Sequence, residues 1–461
     1  MRPAALLVLV ALPVASDEIP THPAAVAERI LGAALAQGGA ARFAEQLSDG
    51  IGPRLAGSPG DAAAVRWALH ELRRLGLEAR AEKVTVPVWV RGEESARIVV
   101  PVEQRLVVTA LGGSVATPPE GITGDVLMVA GIEELRGIAA DRVRGKIVLF
   151  NRAIAPGFAG YSASGGARSR GPSEAARLGA VASLVRSLGT LSARLPHTGG
   201  MRYASDAPRI PAAAVAAEDA DLIQRLLDRD GAVRVTLRLG CETRPDAESA
   251  NVIAELPGRE RPEEIVLIGA HLDSWDLGTG AIDDAAGVGI VMDTLRILKS
   301  QGPVPRRTLR AVLFANEENG LRGARSYAEE HAPELPRHVA AMEADAGGGR
   351  PVGLAVEAGP GGLERMTQIA GLFPLLVAPR IVEREAGADI GRLAAGRVPR
   401  VGLLQEDANY FDWHHTPADT FDKIDPRALA ESAAFFAIVA YALAEHPGTL
   451  ARPEPPAKPE P

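Results

Sequence analysis

From Ser249 onward the chain repeats one unit: a short apolar run, a loop, then a stretch with helical spacing. Residues 265–269, 310–314, 338–343 and 352–358 are the apolar runs, and 285–299 and 321–330 are helical stretches between them. This alternation predicts an α/β fold whose mostly parallel or mixed central sheet is sandwiched by helices. In an open sheet of that kind ligands gather beyond the carboxyl ends of the strands. The residues that follow each apolar run are therefore the informative ones.

Three successive runs lead into metal-capable groups. The run 265–269 leads to His271 and Asp273, and 310–314 leads to Asn316, Glu317 and Glu318. The run 338–343 ends in Glu343 and leads to Asp345. One such coincidence means little, whereas three at the same end of a sheet define a site. Asp283 and Asp284 stand just before the helix beginning near 285, where free N–H groups and the helix dipole favour a carboxylate. The bland reading makes Asp283 a helix cap and Asp284 a solvent-exposed acid. Far downstream, His414 and His415 sit in a proline-containing loop.

Charge decides between one metal and two. Asp283, Glu317, Glu318 and Asp345 carry four negative charges, which two divalent ions balance and one does not. Without cations, clustered carboxylates repel one another and take up protons. His271 and His415 would bind as neutral imidazoles. Mixed imidazole and carboxylate donors suit zinc, with cobalt and manganese as alternatives.

Other chemistries are excluded or weak. Gly278-Thr-Gly280 and Gly347-Gly-Gly349 lack the spacing of a phosphate-binding loop. No HExxH or GxSxG pattern occurs, which removes the helix-borne single-zinc peptidases and a serine nucleophile. Cys241 is the only cysteine, so neither an intrachain disulfide nor a cysteine zinc site can form. The net charge of −8, with no Lys/Arg stripe, argues against nucleic acid as a partner.

Upstream of the repeat, 24–37, 40–47 and 61–75 read as helices, 49–58 as a glycine-rich loop and 77–90 as an edge strand. Between 106 and 245 short strands (124–129, 145–150, 179–185, 208–215) alternate with Gly/Ser-rich loops and helices at 173–178 and 219–228. This stretch is expected to be an inserted α/β module, leaving 17–105 and 246–450 as the catalytic part. Residues 1–16 combine Arg2, an apolar run and small residues, the pattern of a secretory signal, so a secreted or periplasmic protein is expected. No other stretch reads as a membrane span. The Pro/Glu-rich tail 451–461 is expected to be disordered.

The motifs SANVIAELPG (249–258), GAHLDS (269–274), NEENG (316–320) and HTPADT (415–420) resemble the co-catalytic di-zinc aminopeptidase family. SWDLGTGAIDD (274–284) and AMEAD (341–345) resemble its carboxypeptidase Q branch. The middle module resembles a protease-associated insert. The resemblance implies a zinc exopeptidase fold and two zinc ions. It makes Asp283 the bridging carboxylate, His271 and Asp345 the other ligands of one ion, and Glu318 and His415 those of the second. It makes Glu317 the base that activates a metal-bridging water, and Asp273 the group whose hydrogen bond fixes the His271 tautomer. It also implies a cis peptide between Asp283 and Asp284, and places Asp389 near the cleft. The implied activity is hydrolysis of dipeptides or short peptides.

Rival readings are an aminopeptidase on longer peptides, a single-zinc glutaminyl cyclase relative, and a non-catalytic binding ectodomain. Metal stoichiometry separates the cyclase, and loss of ligands would mark the ectodomain. The pocket's shape, and any homodimer whose neighbouring subunit adds loops to it, stay open. His414 is the rival of His415 as ligand, and the sequence after His415 favours His415. His22, His70, His331, His338 and His446 read as surface residues, Asp276 and Asp284 as structural ones. Residues 197–199 and the pair Glu406–Asp407 read as plain loops, with contact to substrate as the sharper alternative.

Overall fold

The computed structural model describes residues 23–455 apart from 192, 302 and 303. Its larger sheet runs in the order Glu78–Val90, Glu242–Leu256, Arg307–Phe314, Arg261–His271, His338–Glu343, Arg400–Gln405, Pro351–Glu357, Arg380–Glu383. The four strands from Arg307–Phe314 to Arg400–Gln405 are mutually parallel, with antiparallel pairs on either side. The α/β sandwich with a mixed sheet is thus as expected, and strand Arg261–His271 shows why. Val266, Ile268 and Ala270 belong to one apolar cluster, and Leu267 to another on the opposite face. A strand buried on both faces reads as a continuous apolar run and needs helices on each side.

Helices Pro23–Gln37, Gly39–Ser48, Ala286–Gln301 and Pro426–Glu445 pack together on one face. Helix Arg322–Glu330 and the turn Ile390–Gly396 supply Tyr327, Ile390 and Leu393 to the other. Pro426–Glu445 corrects one expectation, because it is long and apolar enough to cross a membrane. From Ala428 to Ala444 every residue except Glu431 is buried, so that apolarity serves the core.

The chain leaves the large sheet at Val90 and re-enters at Glu242, where the two strands pair antiparallel. Between them lies a second eight-stranded sheet. It begins earlier than the expected 106, since Glu94–Val100 and Gln104–Leu106 belong to it and pair onto Arg234–Leu239 through Glu94–Val100. Alternation identifies a strand but not the sheet it joins, which is why the boundary was misplaced. The helix expected at 173–178 extends over Gly157–Arg177. Its glycine- and serine-rich first half has low helix propensity and is sustained by packing.

Residues 451–455 are held rather than disordered: Arg452 donates to the carbonyls of Gly396 (2.9 Å), Leu335 (3.2 Å) and His338 (2.8 Å). The stretch 1–16, where a secretory signal is expected, His22 and residues 456–461 lie outside the described residues.

His338 is not a surface residue but is fully buried at the start of its strand. Its Nδ1 donates to the Glu334 carbonyl (3.1 Å), and Nε2 meets the Tyr327 hydroxyl at 2.8 Å. Burial pushes its pKa from the usual 6.5 to about 4, and Arg310 beside Tyr327 works in the same direction. The unfolded chain therefore takes a proton on His338 as pH falls through 6.5, and the folded chain does not until about 4. Stability on the order of 3 kcal/mol from this residue is present above 6.5 and lost across that window. Half-buried His331 differs: its hydrogen bond to Glu82 (2.9 Å), with Glu334 also nearby, raises its pKa. Its contribution is full below 6.5 and fades as pH rises. Urea midpoints between pH 7 and 4 should fall less steeply for His338→Gln than for the parent. Equal slopes would place the titration elsewhere.

Candidate active site

The register sets Phe314 beside His271 and Glu343 beside Gly269, so the parallel strands end nearly level and their following loops converge. His271 donates from Nδ1 to the Asp273 carbonyl (3.0 Å). That leaves the Nε2 lone pair facing Asp283 Oδ1 at 3.0 Å and Asp345 Oδ1 at 3.7 Å. On the other side of Asp283, His415 Nε2 lies 3.0 Å from Oδ2 and 3.0 Å from Glu318 Oε2. His414 Nε2 also approaches Oδ2, at 3.1 Å, but among the paired histidines only His415 reaches Glu318.

Despite these neighbours, Asp283 Oδ2 is buried and makes no hydrogen bond. Lone-pair donors that crowd together without hydrogen bonding fit a bound cation. Beside a cluster of His197, His414 and His415, two donor groups that include carboxylates result, His271/Asp283/Asp345 and Asp283/Glu318/His415, each with its ligand atoms within 4.8 Å of one another. Asp283 belongs to both. All five predicted ligand residues are therefore brought to one place.

The support beneath them is backbone-directed. The Asp283–Asp284 peptide is cis, the form the resemblance implies. Asp283 is not the helix cap of the bland reading. Asp284, buried rather than solvent-exposed, accepts from the Gly287 N–H (2.9 Å) and the His271 N–H (3.2 Å). Asp419 accepts from Ala281 and Ile282, both at 2.8 Å. Arg54 lies fully buried under this turn and donates to the carbonyls of Leu272 (2.7 Å), Thr279 (2.7 Å) and Gly280 (2.8 Å). Burial lowers its pKa, and Asp419 and Asp273 oppose that. The glycine-rich loop around Arg54 gave no hint of this role. A lone arginine in a loop reads as a solvated charge unless its distant partners are known.

Asp273 requires a correction. Its carboxylate stands 3.8 Å from His271 Nδ1 and instead accepts the Glu317 N–H at 2.9 Å. Its backbone carbonyl fixes the His271 tautomer, while its side chain fixes the loop that carries Glu317. The Glu317 side chain faces a cavity of about 1690 Å³ that Asp283, Glu318, Asp345 and His415 also line. Burial raises the Glu317 and Glu318 pKa values well above the usual carboxylate range; for Glu317 the charges of Asp345 and Glu318 add to this. The same repulsion was expected of this cluster from its charge count. Asp389 is buried with both oxygens unpartnered, beside Glu343, which accepts the Ile390 N–H (2.7 Å) and rises to about 8 through burial and Asp345.

The inserted module forms the facing wall. Its His197, expected in a plain loop, is buried with Nε2 3.1 Å from His414 Nδ1, and the Thr198 N–H donates to the His415 carbonyl (3.0 Å). Glu406 and Asp407 line the cavity as well. Asp276 pairs through both oxygens with Arg91 (2.5 and 2.8 Å), a structural role.

Residues 251–440 match peptidase family M28. Mouse carboxypeptidase Q is 38% identical over 407 residues, which span 88% of this chain and 86% of that protein. The chain belongs to peptidase family M28. Human carboxypeptidase Q is 37% identical over 88% of this chain and 85% of that protein. The crystal structure of an M28 peptidase precursor from Shewanella amazonensis superposes with a TM-score of 0.91 at 42% identity, covering 94% of this chain and 98% of that one. A zinc aminopeptidase from Bacillus subtilis shares the fold at 21% identity, with a TM-score of 0.66 and coverage of 88% and 95%. This M28 member is accordingly a peptide hydrolase, and its substrate is a peptide.

Proposed function

We propose that this M28 peptidase is a secreted or periplasmic two-zinc exopeptidase that hydrolyses dipeptides or short peptides. One observation carries the reading: Asp283 stands between two complete donor groups, with His271 and Asp345 on one side and Glu318 and His415 on the other. The names of its relatives, carboxypeptidase Q and zinc aminopeptidase, support the metal and the end-directed cleavage.

Two zinc ions, when bound, supply Lewis acidity toward the scissile carbonyl and lower the pKa of water at the site. The protein supplies the rest. Glu317, adjacent to a ligand but in neither donor group, takes a proton from the attacking water and delivers it to the leaving amine. Asp273 holds the Glu317 backbone in place. The Asp273 carbonyl keeps the proton on His271 Nδ1, so that Nε2 stays an electron-pair donor.

The direct test assays the zinc-loaded protein on free dipeptides, each paired with N-blocked and C-blocked forms. Free dipeptides should be cleaved, with two zinc ions bound per chain. Tolerance of a C-terminal block would make it an aminopeptidase, and tolerance of an N-terminal block a carboxypeptidase. Absence of cleavage from all three would overturn the proposal.

A further inference from the structure

Arg91 stands where the chain leaves the large sheet for the insert, between strands Glu78–Val90 and Glu94–Val100, and is buried. A guanidinium carries five N–H donors, and here all five are used. Nε and Nη2 reach the two oxygens of Asp276 (2.8 and 2.5 Å). Nη1 donates to the Thr109 hydroxyl and the Ala110 carbonyl, both at 2.6 Å, and Nη2 also donates to the Thr198 hydroxyl (3.3 Å). Asp276 belongs to the loop behind strand Arg261–His271, whereas Thr109, Ala110 and Thr198 belong to the insert. One planar fork therefore ties the two parts of the chain together.

Each end of the fork leads on to a ligand in the donor group of Glu318 and His415. Trp275, one residue before Asp276, donates its N–H to Glu318 Oε1 (3.2 Å), which leaves Oε2 facing His415 at 3.0 Å. The Trp275 ring is buried in the apolar cluster of the insert and lies 5.8 Å from the His415 ring. Gly112 of the insert packs so closely that a Cβ there would overlap the Trp275 ring. At the other end, the Thr198 N–H donates to the His415 carbonyl (3.0 Å). His415 needs that hold, because its φ of +60° is a left-handed conformation that a non-glycine residue keeps when its surroundings impose it. The ligands private to the first group differ. His271 is fixed by Asp273 and Asp284, and among the described residues no insert residue hydrogen-bonds His271 or Asp345.

We propose that Arg91 is a positioning residue for the ion of Glu318 and His415. By locking the insert onto the loop of Asp276 it sets both ligands in place, so that this ion, and not its neighbour, depends on the docked insert. The inference rests on the two-zinc reading above. Groups one step removed from the ligands orient them, and their loss costs about 10- to 100-fold in metal affinity. A general loosening of the fold would weaken both ions, whereas loss of this clamp weakens one.

The experiment titrates the metal-free parent, Arg91→Gln, Arg91→Lys and Asp276→Asn with zinc against a chromophoric chelator. In Arg91→Gln the affinity for one ion should fall about 10- to 100-fold while the other stays at its parental value. Arg91→Lys, which cannot reproduce the fork, should recover part of the loss, and Asp276→Asn should show the same selectivity. To identify the ion, Arg91→Gln is combined with a ligand change. It should weaken the ion that remains in Asp345→Asn and leave untouched the ion that remains in Glu318→Gln. Both ions held as in the parent, or both weakened alike, overturn the assignment, and Asp276→Asn decides in the same way if Arg91→Gln does not fold. Hydrogen exchange of the metal-free chains reads the hold directly. Protection at 195–201 and 274–278 should fall in Arg91→Gln, with 340–346 unchanged. If the parent takes up a single ion, the two-zinc reading fails, and the exchange pattern alone decides Arg91. Selective loss of protection upholds its hold on Glu318 and His415, and unchanged or uniformly lower protection rejects it.

Discussion

Glu317→Gln is expected to lower kcat by about 10²- to 10⁴-fold while the chain still binds two zinc ions. The size follows from removing a positioned proton carrier, and the retention of metal follows from geometry. The Glu317 side chain belongs to neither donor group. Its backbone N–H is anchored by Asp273 (2.9 Å), so the near-isosteric amide keeps its place facing the cavity. The amide cannot take a proton from water at neutral pH, whereas the ligands keep their charges. KM should change little, because Glu317 acts on the proton and not on the bulk of the substrate. Turnover measured beside metal content by mass spectrometry checks both halves. Near-parental kcat would move the base elsewhere, and loss of one zinc per chain would make Glu317 a ligand.

The place of these glutamates was readable in the sequence because they follow a strand directly, whereas the division into base and ligand came only from the family resemblance. A strand end fixes the direction of the next few residues, so three apolar runs ending in His271, Glu317–Glu318 and Asp345 were enough to place a site. The same logic placed the parallel centre of the sheet, since a continuous apolar run needs cover on both faces. What the sequence hid depends on contacts between distant segments. Asp273 lies two residues from His271, but its carboxylate goes to Glu317, from another strand end. Arg54 and His338 carry polar side chains that look solvated until their buried acceptors are found. The helix Gly157–Arg177 exists because its packing outweighs the poor propensity of its glycines, and with it Tyr161 and Arg168 entered the cavity unannounced. Helix Pro426–Glu445 shows the reverse case, where a membrane-like composition is explained by burial.

Asp283→Asn should have the largest effect of any single substitution, removing both ions and lowering turnover by at least about 10³-fold. The carboxylate is shared: Oδ1 faces His271 and Oδ2 faces His415. A carboxamide keeps one acceptor oxygen and turns N–H groups toward the imidazole on its other side, so it cannot serve both. Without it, His271 with Asp345 and Glu318 with His415 leave only two protein donors to each ion, too few for a well-held zinc. Asp345→Asn or Glu318→Gln should instead weaken one ion, which separates a shared ligand from a private one. The fold itself should survive. The turn is held by Asp284, Asp419 and Arg54, and Asp283 accepts no backbone N–H among the described residues. Zinc that binds only the folded chain raises the thermal midpoint by mass action, so the parent should gain stability on titration with zinc and Asp283→Asn should not. A variant that still bound two ions per chain, or whose midpoint rose with zinc as the parent's does, would rule out the bridging role of Asp283.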